Sequence, residues 1–298
     1  MTAPVPTAVD VPTGLPAAIP TPEPGDPRLA RLALNQATVR PSTLVQAVDG
    51  CLRAGIPGIG LWREHVADLG LDKAAALIRR SGLRVTSYCR AGFLTGHDQT
   101  PALDDNRRAI DEAAALGAPV LVMVVGGLPP NDRDLPGARA RVTDALAVLA
   151  PYAAERGVRL GLEPLHPMFC ADRAVLSTLG QALDLAEPFP AETVGVTVDT
   201  YHIWWDPHVE TQIARAGANG RIALFQVCDW TLPLPADTLL GRGMAGDGHI
   251  DLRRLRACVD AAGHTQDIEV EIFNADIWAA DIDDVIATMA RRHIQHVL

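Results

Sequence analysis

The sequence predicts an α/β protein: a closed (β/α)₈ barrel built as a single domain. Short apolar runs alternate with helical patterns from Arg28 to the C-terminus, in one unbroken register. Eight such units fill roughly 270 residues, close to the length of about 250 expected of an eightfold barrel. No Gly-x-Gly-x-x-Gly follows the first strand, which counts against the doubly wound open sheet that is the nearest alternative.

The elements follow in order. Leu29 to Asn35 reads as a strand, and the helical spacing that starts at Pro41 closes at Ala54-Gly55. Gly58 to Trp62 is the second strand, and Leu71 to Arg80 a helix stopped by Ser81-Gly82, as a glycine just past a helix end would do. Arg84 to Cys89 is the third strand, with a loop from Arg90 to Thr100 and a helix from Pro101 to Leu116. Val120 to Val125 is all apolar, the mark of a strand buried on both faces, and Leu135 to Arg156 is a long helix. Val158 to Leu162 precedes a helix over Ala174 to Ala186. The sixth strand is the β-branched run Val194, Val196, Val198, with a short helix at Val209 to Ala216. Arg221 to Cys228 is the seventh. The loop from Asp229 to Gly248 is the longest in the chain, a length usually kept for function. A helix over Leu252 to Ala262, a strand over Asp267 to Phe273 and a closing helix over Ile277 to Val297 complete the set.

Composition narrows the function. The chain of 298 residues is 48% hydrophobic with a net charge of -10, enough for a large core and wrong in sign for a nucleic-acid partner. No apolar run reaches the roughly 18 residues of a membrane span. Cys51, Cys89, Cys170, Cys228 and Cys258 are odd in number and scattered, which points to a reducing cytoplasm rather than a disulfide framework. Met1 to Pro27 holds eight prolines and no Lys or Arg, unlike a signal peptide, and reads as an extended tail ahead of the barrel at residues 28–298.

Chemistry gathers where the strands end. The fifth strand runs into Glu163, the sixth into Asp199, the seventh into Gln226 and the eighth into Glu271. In a barrel such ends converge on one face. Acids there are costly to desolvate unless paired, and a divalent cation would pair them. Three carboxylates and an amide carbonyl form a hard oxygen set suited to Mn²⁺ or Mg²⁺, with Co²⁺ or Zn²⁺ as alternatives. Glu269 lies on the same strand face as Glu271, two residues before it, and is a rival ligand.

Gly161-Leu-Glu-Pro-Leu-His, Val198-Asp-Thr-Tyr-His, Phe225-Gln-Val-Cys-Asp-Trp, Gly241-Arg-Gly, Gly246-Asp-Gly-His-Ile-Asp and Glu269-Val-Glu-Ile-Phe resemble the sugar phosphate isomerase/epimerase family. These are xylose isomerase-like TIM barrels, and the resemblance covers the whole barrel. It implies Glu163, Asp199, Gln226 and Glu271 as metal ligands, with Gln226 where most members have His, as in the hydroxypyruvate isomerase-like branch. It implies Glu163 and Glu271 as bases that remove and return a proton α to a carbonyl, while the cation stabilises charge on the carbonyl oxygen. His202 would then meet a substrate oxygen, and Arg242 would hold a hydroxyl or an acid group.

Other positions have two readings. His166 can contact substrate or cap its loop, and His249 fits a structural role as well as a site role. Asp229 can orient a ligand through a hydrogen bond. Asn35, Trp62, Glu64 and Arg90 end the first three strands, where they form a specificity wall or solvated loop positions. Trp204 and Trp205 suit the floor of a sugar-sized pocket or the packing of a loop.

The expected substrate is a small polyol or keto compound: a sugar, a cyclitol or a hydroxy-keto acid. No Lys/Arg cluster or phosphate nest marks the later loops, so a phosphorylated sugar is less favoured. Dimers are common in the group resembled. A metal-dependent lyase or dehydratase that abstracts the same proton and expels a β leaving group is the main alternative. A three-zinc DNA-repair endonuclease would need more His and a basic face, and an inactive barrel would not keep all four ligands.

Overall fold

In the computed structural model, which describes residues 19–298, eight parallel strands close into a barrel wrapped by helices. The strands β1 (Leu32–Asn35), β2 (Gly58–Trp62), β3 (Arg84–Gly92), β4 (Val120–Val124), β5 (Arg159–Leu162), β6 (Val194–Asp199) and β7 (Ile222–Val227) follow the chain. A two-stranded hairpin, β8 (Asp229–Trp230) and β9 (Arg242–Gly243), intervenes before β10 (Ile268–Val270) shuts the barrel between β7 and β1. The barrel expected from the sequence is therefore present. Its helices are α1 (Leu44–Ala54), α2 (Arg63–Leu69), α3 (Leu71–Ser81), α4 (Thr100–Leu116), α5 (Leu135–Glu155) and α6 (Leu179–Ala186). They continue with α7 (Thr200–Ile203), α8 (Val209–Ala218), α9 (Leu252–Ala261), α10 (Ala275–Ala279) and α11 (Ile282–Arg292).

Local chemistry sets these ends. Thr43 caps α1 in a reciprocal pair with Gln46, and Gly55 ends the helix in the left-handed conformation its missing Cβ allows. Gly117 does the same for α4. The main apolar core lies between strands and helices. A smaller cluster, Ala37, Trp62, Cys89, Val120, Val122, Leu224 and Phe273, lines the inside of the barrel. No helix among the described residues is long and apolar enough to cross a membrane.

Several boundaries differ from expectation. The first strand starts at Leu32, because Pro27–Leu29 form a 3₁₀ turn capped by Asp26. The helix expected from Ala174 begins at Leu179: Ala174 bridges to Gly126 instead, and Thr178 supplies the cap. The closing helix is two, since Asn274 caps α10 and Asp281 caps α11. Helices α2 and α7 went unanticipated. The Pro-rich segment predicted over Met1–Pro27 falls outside the described residues as far as position 18. Beyond it, Pro24 lies against Gly55 and Thr21 accepts a hydrogen bond from Arg291 at 2.9 Å.

Register places the site. Asp199 pairs with Gln226 and Gln226 with Glu269, so three polar side chains from adjacent strands share one level of the barrel. Glu271 follows two residues on, one step nearer the mouth.

Candidate active site at the barrel mouth

The structure brings the four predicted ligand positions to one end of the barrel, all buried. Glu163 follows β5 directly, and Pro164 takes the chain out of the strand. Asp199 ends β6, where its Oδ1 also caps α7 by accepting from the Tyr201 amide at 2.8 Å. That leaves Oδ2 free to face inward. Gln226 donates from Nε2 to Glu269 at 2.8 Å and to Glu271 at 3.3 Å, while its Oε1 is buried with no partner.

Arg242 stands among these acids. The β8–β9 hairpin folds the long loop back over the end of β7 and drives this side chain into the mouth, between the rings of Tyr201 and Phe273. Its Nη1 donates to Asp199 and to Glu271, both at 2.9 Å, and its Nη2 lies 3.0 Å from His202 Nε2. With only 2% of the residue exposed, this arginine is part of the acid cluster, and its guanidinium is already engaged before any substrate arrives.

The electrostatics follow. Burial, then the charges of Glu271 and Asp199, hold the Glu163 carboxyl well above the usual carboxylate range. Burial also pushes Glu271 up to about 8, against the pull of Arg242. Asp199 is raised for the same first reason. His202 is held well below its ordinary value by burial and by Arg242, so its imidazole is neutral at pH 7.

Glu269 has a different role from Glu271. Its carboxylate sits deeper and accepts from Asn35 at 2.6 Å, from Ser87 at 2.8 Å, from Gln226 at 2.8 Å and from Thr86. Gly60 leaves the room for it: a Cβ there would lie 2.5 Å from Glu269 Oε2. Asn35 also donates to Glu271 at 3.1 Å, and Trp62 Nε1 donates to Asn35 at 2.7 Å. A chain of hydrogen bonds thus fixes Glu271 from below.

A cavity of about 110 Å³ opens above this floor, lined by Glu163, Glu271, His202, Arg242, Trp62 and Phe273 among others. Several of the sequence candidates lie outside this cavity. Glu64 is at the rim, 3.4 Å from Arg40, and His166 packs against Trp205 and Trp230. Trp204 and Trp205 line a separate surface cleft with His249, so they do not floor the central pocket. Asp229 touches no predicted ligand: it accepts from the amides of Trp230, Gly246 and Ile250 and so braces the long loop. The sequence reading missed Thr86, Ser87 and Arg173. Thr86 and Ser87 are adjacent on β3, so alternation marks only one of them as inward, and both reach Glu269 because the β2–β3 register skips a residue at Thr86. Arg173 sits in a loop without periodicity.

The xylose isomerase-like TIM barrel family matches residues 48–292. The chain belongs to that family. It is similar to inosose isomerase of Halalkalibacterium halodurans, at 22% identity over 269 residues, 87% of this chain and 93% of that protein. The crystal structure of protein SMc04130 from Sinorhizobium meliloti 1021 superposes with a TM-score of 0.87 at 47% identity, covering 90% of this chain and 98% of that one. IOLI protein with a bound zinc atom gives a TM-score of 0.76 at 19% identity, covering 90% and 98%, and shows a shared fold.

The donor set suits a divalent ion. Glu163, Asp199 and His202 have ligand atoms within 4.8 Å of one another, and the partnerless Gln226 Oε1 is a buried acceptor still to be satisfied. A dication here would favour the ionised forms of Glu163 and Glu271, which burial disfavours.

Proposed function

We propose that this chain is a divalent-metal-dependent isomerase or epimerase of a small polyol carbonyl compound, a sugar, a cyclitol or a hydroxy-keto compound. The observation that carries this reading is the pair Glu163 and Glu271. Both are buried, both border the same cavity, and both are held above the ordinary carboxylate range. Carboxyls with raised proton affinity can take a proton from carbon and give it back near neutral pH. One glutamate removes the proton α to the carbonyl, and the other returns it to the neighbouring carbon or to the opposite face. Hydrogen is only redistributed, so the product keeps the substrate's mass.

Glu163, Asp199, Gln226 and Glu271 would hold the ion, Mn²⁺ or Mg²⁺ by donor type, or Zn²⁺ as in the IOLI structure. When bound, such a dication stabilises negative charge developing on the carbonyl oxygen. His202, neutral and accepting from the His166 amide at Nδ1, carries its proton on Nε2 and donates it to a substrate oxygen. Arg242 holds Asp199 and Glu271 in place, and Trp62 and Phe273 wall the apolar side. The similarity to inosose isomerase supports the same class of substrate.

The test is metal analysis of the purified protein together with a ketose, aldose and inosose panel followed by NMR in D₂O. Deuterium entering the carbon beside the carbonyl in D₂O, and a product of the substrate's own mass when the reaction is run in H₂O, are the expected results. Glu163→Gln and Glu271→Gln should each abolish exchange while the fold survives. Wild-type exchange in either variant removes this mechanism, and loss of water or an aglycone from the product would turn the reading to a lyase.

A further inference from the structure

Four arginines border the cavity: Arg40, Arg90, Arg173 and Arg242. Two are already committed. Arg242 is bound to Asp199 and Glu271 beside His202, and Arg40 reaches Glu64 while lying over the Trp278 ring. The other two are less engaged. Arg90, half-buried at the end of β3, makes no ion pair or side-chain hydrogen bond among the described residues. Arg173, on the loop after β5, has carboxylates only at 3.6 Å (Asp172) and 3.9 Å (Asp237), and its Nε is buried without a partner.

Each guanidinium lies against an aromatic ring. Arg90 lies 4.7 Å over the ring of Phe93, and Arg173 lies 5.6 Å over the ring of Phe169. Burial lowers the proton affinity of Arg90, the charge of Glu64 opposes that, and the charge of Arg173 lowers it further. Both arginines border the same cavity. In the ring of eight strands β3 stands opposite β7, which puts Arg90 across the mouth from Gln226. Between them the wall mixes the apolar Trp62, Val122, Val124, Leu165 and Phe273 with Glu163 and His202. A ligand in this cavity meets the acids Glu163 and Glu271, the Arg90 cation that no carboxylate engages among the described residues, and the Arg173 cation held only by long ion pairs.

We propose that Arg90 and Arg173 bind a carboxylate of the substrate, which makes that substrate a hydroxy-keto or sugar acid rather than a neutral sugar. This rests on the proton-transfer reading given above and narrows it. Two planar forks satisfy the two oxygens of a carboxylate, whereas a phosphate brings a third oxygen and a second charge. The sequence showed no basic cluster at the later loops. The pair is assembled instead from the end of β3 and the loop after β5, far apart in the chain.

The experiment uses the full chain with Mn²⁺ and two matched sets. One is dihydroxyacetone, hydroxypyruvate and dihydroxyacetone phosphate, and the other is D-glucose, D-glucuronate and D-glucose 6-phosphate. Binding is measured by calorimetry, and exchange at the α carbon by NMR in D₂O. The acid should bind at least about tenfold tighter than its neutral counterpart in one set or both. That preference should vanish in Arg90→Gln and Arg173→Gln, and return in part in Arg173→Lys. Equal binding of neutral and acid members in both sets, tighter binding of the phosphates, or a preference that survives both Gln variants would each overturn the assignment. If a variant unfolds, the wild-type comparison within each set still decides. Exchange of neutral members without acid preference removes this inference and leaves the proposed function standing. Acid preference without any exchange does the reverse.

Discussion

Replacing Arg242 with Met separates the roles of charge and packing at the barrel mouth. Methionine keeps an unbranched apolar stem between Tyr201 and Phe273 but removes the guanidinium. Two bonds of 2.9 Å to Asp199 and Glu271 are lost, together with the 3.0 Å contact to His202. The arginine is 2% exposed, so water cannot replace those bonds. Removing one partner of a buried ion pair costs about 3–5 kcal/mol, because the acids left behind remain desolvated. With a urea slope of about 2–3 kcal/mol/M, the unfolding midpoint in EDTA should fall by about 1–2 M. Saturating Mn²⁺ should recover part of that loss, and should stabilise the variant more than the wild type, since a dication then meets uncompensated acids. An Arg242→Met protein as stable as wild type in EDTA, or indifferent to Mn²⁺, would refute the placement of this arginine as the internal counter-charge of the site.

Other expectations are independent of that one. Gly60→Ala pushes a Cβ to 2.5 Å from Glu269 Oε2 and should cost about 2–4 kcal/mol in urea unfolding, as the carboxylate gives up part of its donor set. An unfolding midpoint unchanged from wild type would show that Glu269 does not fill that space. His293 has both ring nitrogens buried without partners, and burial together with Arg31 and Arg256 holds its imidazole down to about 4. The folded value lies below the unfolded one near 6.5, so its contribution is complete above pH 6.5 and is lost as pH falls toward 4, by about 3 kcal/mol. His264, held at about 4 mainly by burial, adds a loss in the same direction. Urea unfolding between pH 7 and 4.5 should show His293→Leu with a flatter acid slope than wild type, and parallel slopes would contradict it. Trp62→Phe removes the 2.7 Å bond to Asn35, and should lower the rate of α-proton exchange several-fold with little change in stability. An exchange rate equal to wild type would make that bond irrelevant to Glu271.

The barrel was legible because its signals are local and repeated: apolar runs, glycine stops and even spacing. The convergence of Glu163, Asp199, Gln226 and Glu271 was legible for a topological reason, since every strand of a parallel barrel ends at the same mouth. What lay hidden depended on tertiary contacts. Nothing in Glu269-Val-Glu271 says which acid lies deeper, because that choice is made by the glycine at position 60 and the hydroxyls of Thr86 and Ser87 on other strands. Arg242 looked like a substrate-binding loop residue, and only the β8–β9 pairing shows it turned inward onto Asp199. The split of the last helix rests on the caps Asn274 and Asp281, and the helical spacing that runs across Ala279-Ala280 masked the break that Asp281 makes.

The β8–β9 hairpin also isolates what lies beyond it. Its paired rungs, Asp229 with Gly243 and Trp230 with Arg242, fasten the base of the long connection, while Leu232 at its far side is 61% exposed. Pro235 and Ala236, both exposed, are therefore a graft point, where foreign sequence, an affinity tag or a reporter loop can be spliced in without moving the arginine.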